Sequence, residues 1–394
     1  MRFPLSFGTI LDDGDVVNLN EVHGGKVYQI AKQLGRSVET LIDFSASVNP
    51  LGPPASVLNA MHLAVNGCQH YPDPHSEELR AQLAHEHKIS VESIVAGNGS
   101  AEIIRMLPKA LGLCRGLIVG PTFSEFENSL RLVGGQCISV DAVSAQRYAP
   151  PLEKLYEVLK EWKLAASKKN HKAVFHTHTV FVCNPNSPTG RRILLRDLRK
   201  VVDEVHRVGC WIIVDEAFID WCPSHSLIKD ISIYPRLLIL RSFTKFFSIP
   251  GIRLGYLVGE PTVVESIRRH LSPWSVNHVA QVAGVEALAD VRFRKRSRGF
   301  IQQERIRFLS QLRTIPGLRV IPSQANFVMV EVSNHVVAEA LVARLQEQGI
   351  LVRNCQTFSG VTKPALRFAV RLRRENDRLV QALKRFSKIS GVQI

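Results

Sequence analysis

At 394 residues, 45% apolar and 22% charged, the chain is longer than one hydrophobic core fills, and a large domain with a smaller companion is expected. The excess of 50 Lys+Arg over 35 Asp+Glu, +15 at pH 7, lies largely in segments such as 292–298 and 367–378, where apolar and acidic residues interrupt it at helix or strand spacing. Solvated element faces account for it, so no nucleic-acid partner is expected, and with no run of about 18 uncharged apolar residues, no membrane one either.

The N-terminus meets Asp12 and Asp13 early and carries no apolar leader behind a basic start, which makes the cytoplasm the expected compartment. Seven cysteines without a CxxC pair are expected to be reduced and mostly buried. Further along, GNGSAEIIRML (97–107) opens an amphipathic helix on small residues. The backbone N–H groups of Ser100 and Ala101 would form an anion cup there, with Gly99 admitting a close approach. No third glycine follows at dinucleotide spacing, so a dinucleotide fold is disfavoured.

Short β-branched runs then alternate with amphipathic stretches. Segments 116–120, 136–140, 173–183, 210–218 and 237–243 read as buried strands, and 152–167 and 195–209 as helices. That alternation predicts an α/β domain with a mostly parallel sheet between helices. Beyond 272–288 a long basic helix (about 290–314), strands near 326–332 and 365–370 and a helix over 336–349 predict a smaller α+β domain.

Three further segments carry chemistry. NPNSPTG (184–190) is a rigid loop in which Asn186 and Ser187 can present donors. Asp215 ends an apolar strand, where a buried carboxylate suits a protonated ring nitrogen. In RSFTKFFSIPGIRLGY (241–256), Lys245 follows a strand among small hydroxyl residues, and a lysine beside buried cations is suited to condense with an aldehyde. Ser242, Thr244 and Arg253 would ligand a phosphate there. His171, His176 and His178 lack a carboxylate or cysteine to complete a ligand set, so no metal is expected; His85, His87, His70 and His75 read as surface residues.

In this order and spacing the four segments resemble the fold-type I pyridoxal-phosphate enzymes, the aspartate aminotransferase superfamily. The resemblance implies a large domain with a seven-stranded-type sheet over 49–288, a small domain over 289–394 and an N-terminal arm, 1–48, joining the latter. It implies pyridoxal 5'-phosphate as cofactor, held as a Schiff base on Lys245, with Asp215 at the pyridine nitrogen and Phe123 stacked on the ring. Gly99, Ser100, Ala101, Ser242, Thr244 and Arg253 would hold the cofactor phosphate, and Asn186 and Ser187 would lie along the cofactor. Tyr71 in HYPDP matches a tyrosine that reaches across a dimer interface to the neighbouring cofactor phosphate, so a homodimer with shared sites is implied.

Segments 23–35, 42–54, 120–127, 214–221 and 352–371 look like the L-threonine-O-3-phosphate decarboxylases, which make the aminopropanol phosphate linker of cobalamin. This resemblance implies a phosphorylated amino acid substrate whose α-carboxylate meets Arg367 and whose phosphate meets Arg353, with His23, Gly24, Asn49 and Asn186 contributing. Histidinol-phosphate aminotransferases are the nearest alternative, although they usually have tyrosine where Phe218 stands. Serine phosphate is a further candidate substrate, and a non-catalytic binding protein of the same fold is disfavoured by the intact Lys245, Asp215, Arg253 and Arg367.

Three positions depart from the pattern. Ser187 and Phe218 replace residues that usually hydrogen-bond the cofactor's phenolic oxygen, which is expected to raise the pKa of the Schiff base. Ser47 stands where the decarboxylase pattern has asparagine, near the expected substrate phosphate.

Overall fold

A computed structural model describes residues 24–167 and 172–389. Its largest sheet has seven strands: β2 (Ile94–Gly97), β3 (Arg115–Gly120), β4 (Gln136–Asp141), β5 (His178–Cys183), β6 (Trp211–Asp215), β7 (Leu237–Ser242) and β8 (Gly255–Val258). They run in the order β2-β8-β7-β6-β5-β3-β4, and β8 is antiparallel to both its neighbours while the other printed pairings are parallel. This is the mostly parallel α/β sheet expected.

Alternation along each strand sends successive side chains to opposite faces. On one face Ile212, Val214, Leu237 and Ile239 pack with residues of α2 (Ala55–Ala64), α3 (Glu77–His87), α6 (Leu152–Ala166), α7 (Leu195–Val208) and α10 (His278–Ala289). On the other, Ile213, Leu238 and Leu240 pack with α4 (Ser100–Leu111), α5 (Glu125–Arg131) and α9 (Pro261–Arg268). By the same alternation Asp215 and Ser242 project with the second set, and Arg241 with the first. A sheet covered twice explains why its strands read as apolar runs rather than alternating ones.

The run over 173–183 forms a strand only from His178. Lys172–Thr177 is a 3₁₀ helix, because the neighbouring strand β3 begins its pairing at Arg115↔His178 and offers no ladder before that point. His176 therefore does not alternate with His178 along a strand, and His171 lies outside the described residues. His178 is buried against Trp162 and Phe175.

A second sheet, in the order β12 (Arg353–Asn354), β13 (Ala365–Ala369), β10 (Phe327–Glu331), β9 (Arg319–Val320), is antiparallel throughout. Val328, Val330, Leu366 and Phe368 bury one of its faces with α11 (Val291–Leu312), α12 (His335–Glu347) and α13 (Arg373–Ile389). The opposite face carries Arg367, whose cross-strand partners are Met329 and Arg353. A short parallel pair, β1 (Ile42–Asp43) with β11 (Ile350–Leu351), ties the N-terminal segment that follows α1 (Val27–Leu34) to this layer. The cysteines are free, but only Cys183, Cys210 and Cys355 are buried, fewer than expected.

Candidate active site

The segments singled out in the sequence follow the C-terminal ends of parallel strands, where α/β sheets place their ligands. Asn184 follows β5, Asp215 closes β6, Ser242 closes β7, and Pro121–Phe123 follow β3. Lys245 sits in the single turn α8 (Phe243–Phe246), started by Ser242, whose Oγ accepts from the Thr244 N–H and lies 2.7 Å from Thr244 Oγ1. The Asn49 N–H donates to the Lys245 carbonyl at 2.8 Å, which fixes the turn from a distant part of the chain.

Burial, then the positive charges of Arg367 and Arg253, bring the Lys245 amine from 10.5 down to about 8, against the opposing pull of Asp215. Burial pushes the Asp215 carboxyl up to about 6, countered by the Ala217 N–H, which donates to it at 2.8 Å, and by Lys245. These two groups thus approach one another in proton affinity at the same strand ends, as acid–base sites require. Only the neutral amine condenses with an aldehyde, so capture of pyridoxal phosphate by the apoprotein is expected to accelerate with pH up to about 8 and level off above it. Stopped-flow absorbance across pH would show this, and a rate still climbing through pH 10 would contradict it. Between about 8 and 10.5 the unfolded chain holds this proton and the native chain does not, so the Lys245 contribution to stability rises with pH across that window.

The expected phosphate cup is assembled from backbone. Helix α4 begins at Ser100 after Gly99, so the N–H groups of Ser100 and Ala101 have no acceptor within the helix. A Cβ on Gly99 would meet the Arg253 guanidinium at 2.5 Å, and one on Gly255 would strike the Ser100 nitrogen. Arg253 itself is held at φ 61°, a left-handed conformation costly for a branched-free but bulky side chain. Guanidinium, helix start, Ser242 and Thr244 together suit a phosphate dianion. Around the rest of the cleft Ser47 Oγ, Thr122 Oγ1, Asn186 Oδ1 and Arg367 Nε are buried without a hydrogen-bond partner among the described residues. Orphaned polar atoms of this kind, two of them after strands β3 and β5, beside a lysine of lowered proton affinity fit pyridoxal phosphate.

Arg367 is buried, and its fork is fixed by two bonds, NH1 to Ser187 Oγ at 2.8 Å and NH2 to the Ser45 carbonyl at 3.0 Å, with Phe327 beneath its Cζ at 5.0 Å. Burial, with Arg353 adding, lowers its guanidinium to about 10 against the pull of Cys355. Arg353 lies directly across the ladder, its NH2 donating to Thr357 Oγ1 at 2.7 Å and its Cζ 5.2 Å over Phe358. Gly24 packs against this arginine, since a Cβ there would lie 3.6 Å from Arg353 Cδ and 2.8 Å from the Ser45 carbonyl.

Several expectations change. Asn49 does not face a ligand: its Nδ2 donates to the Phe246 carbonyl at 2.9 Å and to Ser297 Oγ at 2.8 Å, so both amide hydrogens are spent bracing the Lys245 turn against α11. Ser47, two residues earlier, has the buried hydroxyl without a partner, and only its departure from pattern pointed to it. Asn186 is not a donor either, because its Nδ2 is committed to the Pro121 carbonyl and Thr189 Oγ1, both at 2.9 Å; its Oδ1 can still accept. Ser187 accepts from Arg367 and keeps its own hydrogen to donate. Phe218 is buried edge-on against Phe327 at 5.0 Å, in an apolar wall. Phe123 is half-buried beside Phe126. Tyr71 is 80% exposed and stacks on Trp274 at 4.5 Å. His23 lies outside the described residues, and His87 is not a surface residue, since its Nε2 is 2.8 Å from the buried Tyr256 hydroxyl.

Residues 39–383 match the model of the class I and II aminotransferases. The threonine-phosphate decarboxylase of Salmonella typhimurium is 33% identical over 93% of this chain and 96% of its own. The crystal structure of histidinol-phosphate aminotransferase from Clostridium acetobutylicum superposes with a TM-score of 0.79 at 29% identity, covering 88% of this chain and 99% of that one. That of the Sinorhizobium meliloti histidinol-phosphate aminotransferase in complex with pyridoxal 5'-phosphate shares the fold, with a TM-score of 0.78 at 22% identity over 95% and 98% of the two chains.

Proposed function

Because the chain belongs to the class I and II aminotransferase family, a family of pyridoxal-phosphate enzymes, we propose that it decarboxylates L-threonine O-3-phosphate to (R)-1-aminopropan-2-yl phosphate and CO2. The observation that carries this reading is the opposition of Arg353 and Arg367 on adjacent strands. Two buried guanidiniums side by side call for a ligand with two anionic groups, and a carboxylate next to a phosphate on a short carbon chain provides them.

The cofactor, when bound, supplies an aldehyde and a conjugated ring that accepts the electron pair released at the α-carbon. Lys245 would hold it covalently, Asp215 would pair with its ring nitrogen, Phe123 would cover its ring, and Gly99, Ser100, Ala101, Ser242, Thr244 and Arg253 would hold its phosphate. Ser187 and Asn186 serve as donor and acceptor along its edge, as their remaining hydrogen and lone pairs allow. Arg367 grips the α-carboxylate, Arg353 the substrate phosphate, and the Ser47 hydroxyl and Gly24 complete that end. Gripped at both ends, the substrate presents one chosen bond of its α-carbon for cleavage, and holding the carboxylate in that position selects loss of CO2 over loss of the α-hydrogen. With an amine near 8, Lys245 Nζ can carry the proton that replaces CO2 on the α-carbon.

A homodimer belongs to the same reading: the exposed Tyr71–Trp274 stack is an apolar pair suited to cover by a second copy. So does a division into an arm over 1–48, a large domain over 49–288 and a small one over 289–394, which the β1–β11 pairing supports. None of the described helices is long and apolar enough to cross a membrane, and residence in the cytoplasm is part of the proposal.

Incubation with L-threonine O-phosphate is expected to release CO2 in stoichiometric amounts without 2-oxoglutarate. Glutamate formation dependent on that oxoacid, with no CO2, would instead favour histidinol-phosphate aminotransferase activity. The apolar wall at Phe218 disfavours it.

A further inference from the structure

On the face of the large sheet opposite Asp215 a cavity of about 180 Å³ lies between α3, the ends of β7 and β8, the loop after β6 and α11. Arg241, Arg294, Arg298 and Lys229 line it against the carboxylates of Glu86 and Asp220, with Glu216 behind Arg241. Four cationic side chains thus face three anionic ones. His87 stays neutral, burial and then Arg241 lowering it to about 3.

The cations are only partly satisfied. Arg241 is buried and bonds Glu216 Oε2 at 3.1 Å, Asp220 Oδ1 at 2.8 Å and Ser226 Oγ at 3.4 Å, yet its Nε has no acceptor among the described residues. Arg294 grips Glu86 through NH1 and NH2, and its buried Nε is likewise without an acceptor. Arg298 donates from Nε to the Asp220 carbonyl and lies over Phe246 at 5.4 Å. Burial, then Arg294 and Arg241, pull its guanidinium down against Asp220 and Glu86. Arg241, Arg294, Arg298 and Lys229 around one polar cavity, with the terminal nitrogens of Arg298 uncommitted among the described residues, form a receptor for a compact anion.

We propose that this cavity is a second anion site, binding a free tetrahedral oxyanion of the size of orthophosphate, separate from the Arg353–Arg367 cleft. It is not part of that cleft, because Arg241 projects from the sheet face opposite Asp215. Ser242, whose side chain projects to the other face, lines it at the end of β7 next to Arg241. The inference does not depend on which amino acid phosphate is the substrate.

Titration calorimetry of the holoenzyme with orthophosphate tests it. Arg353→Gln removes the cleft's own phosphate anchor, and one phosphate per chain is expected to bind that variant still. Adding Arg298→Gln is expected to weaken this remaining binding at least tenfold. Loss of all binding in Arg353→Gln alone, or indifference of the remaining binding to Arg298→Gln, would overturn the proposal. As a check that needs no variant, crystals of the wild-type holoenzyme soaked in tungstate should show an anomalous peak between Arg241, Arg294 and Arg298. A peak confined to the Arg353 cleft would also overturn it, and L-threonine O-phosphate in place of tungstate is expected to fill only the cleft.

Discussion

Lys245→Ala is expected to cut CO2 release from L-threonine O-phosphate by roughly 10³- to 10⁴-fold, since it removes both the covalent anchor and the proton carrier. Lys245→Arg is expected to be equally inactive. It preserves a positive charge beside Asp215, but a guanidinium does not deprotonate in a protein and so has no neutral amine to offer. The pair separates chemistry from electrostatics, because burial and the neighbouring Arg367 and Arg253 are what bring Lys245 into a useful range. Steady-state CO2 assays, with retention of cofactor through denaturation after borohydride reduction, measure both functions. Either variant keeping more than a tenth of the wild-type rate would show that Lys245 is not the centre of the reaction.

The parts of the molecule legible in the sequence are those in which local pattern and tertiary role coincide. Strands β3, β6 and β7 are buried on both sides, so their apolar runs announce them, whereas β4, expected to be buried, is the edge strand and exposes Gln136, Ile138 and Ser139. Strand β8 is not announced: four residues, GYLV, between the loop 247–254 and a turn carry too little pattern, and its antiparallel direction is decided by the strands it joins. At the site, residue types were readable and hydrogen-bond allegiance was not. Asn49 looked available until Ser297, 248 residues away, claimed its amide. The same holds for one donor of Asn186, which turns to the Pro121 carbonyl 65 residues away, while the other stays local on Thr189. His87 ends a helix with little amphipathic signal, and only the fold brings Tyr256 to it. A donor's partner is a long-range fact, and sequence spacing does not encode it.

Arg367 offers the sharpest test of how the cleft selects its bond. Arg367→Lys keeps the charge but loses the planar fork that Ser187 and the Ser45 carbonyl hold in place. The loss of one charged hydrogen bond, worth about 1.5–3 kcal/mol, is expected to lower kcat/KM for CO2 release roughly 10- to 100-fold. Because the carboxylate is then held less firmly, some α-hydrogen loss is expected to appear as glutamate formation when 2-oxoglutarate is supplied. Arg367→Gln acts differently. It takes away one of the positive charges that, after burial, depress Lys245, so the Lys245 amine rises above about 8 and capture of the cofactor slows at neutral pH. The midpoint of the pH–capture profile should therefore move up in Arg367→Gln and stay near the wild-type value in Arg367→Lys, while both lose decarboxylation. An unshifted midpoint in Arg367→Gln would mean that burial alone sets the Lys245 amine, and that Arg367 acts on the substrate only.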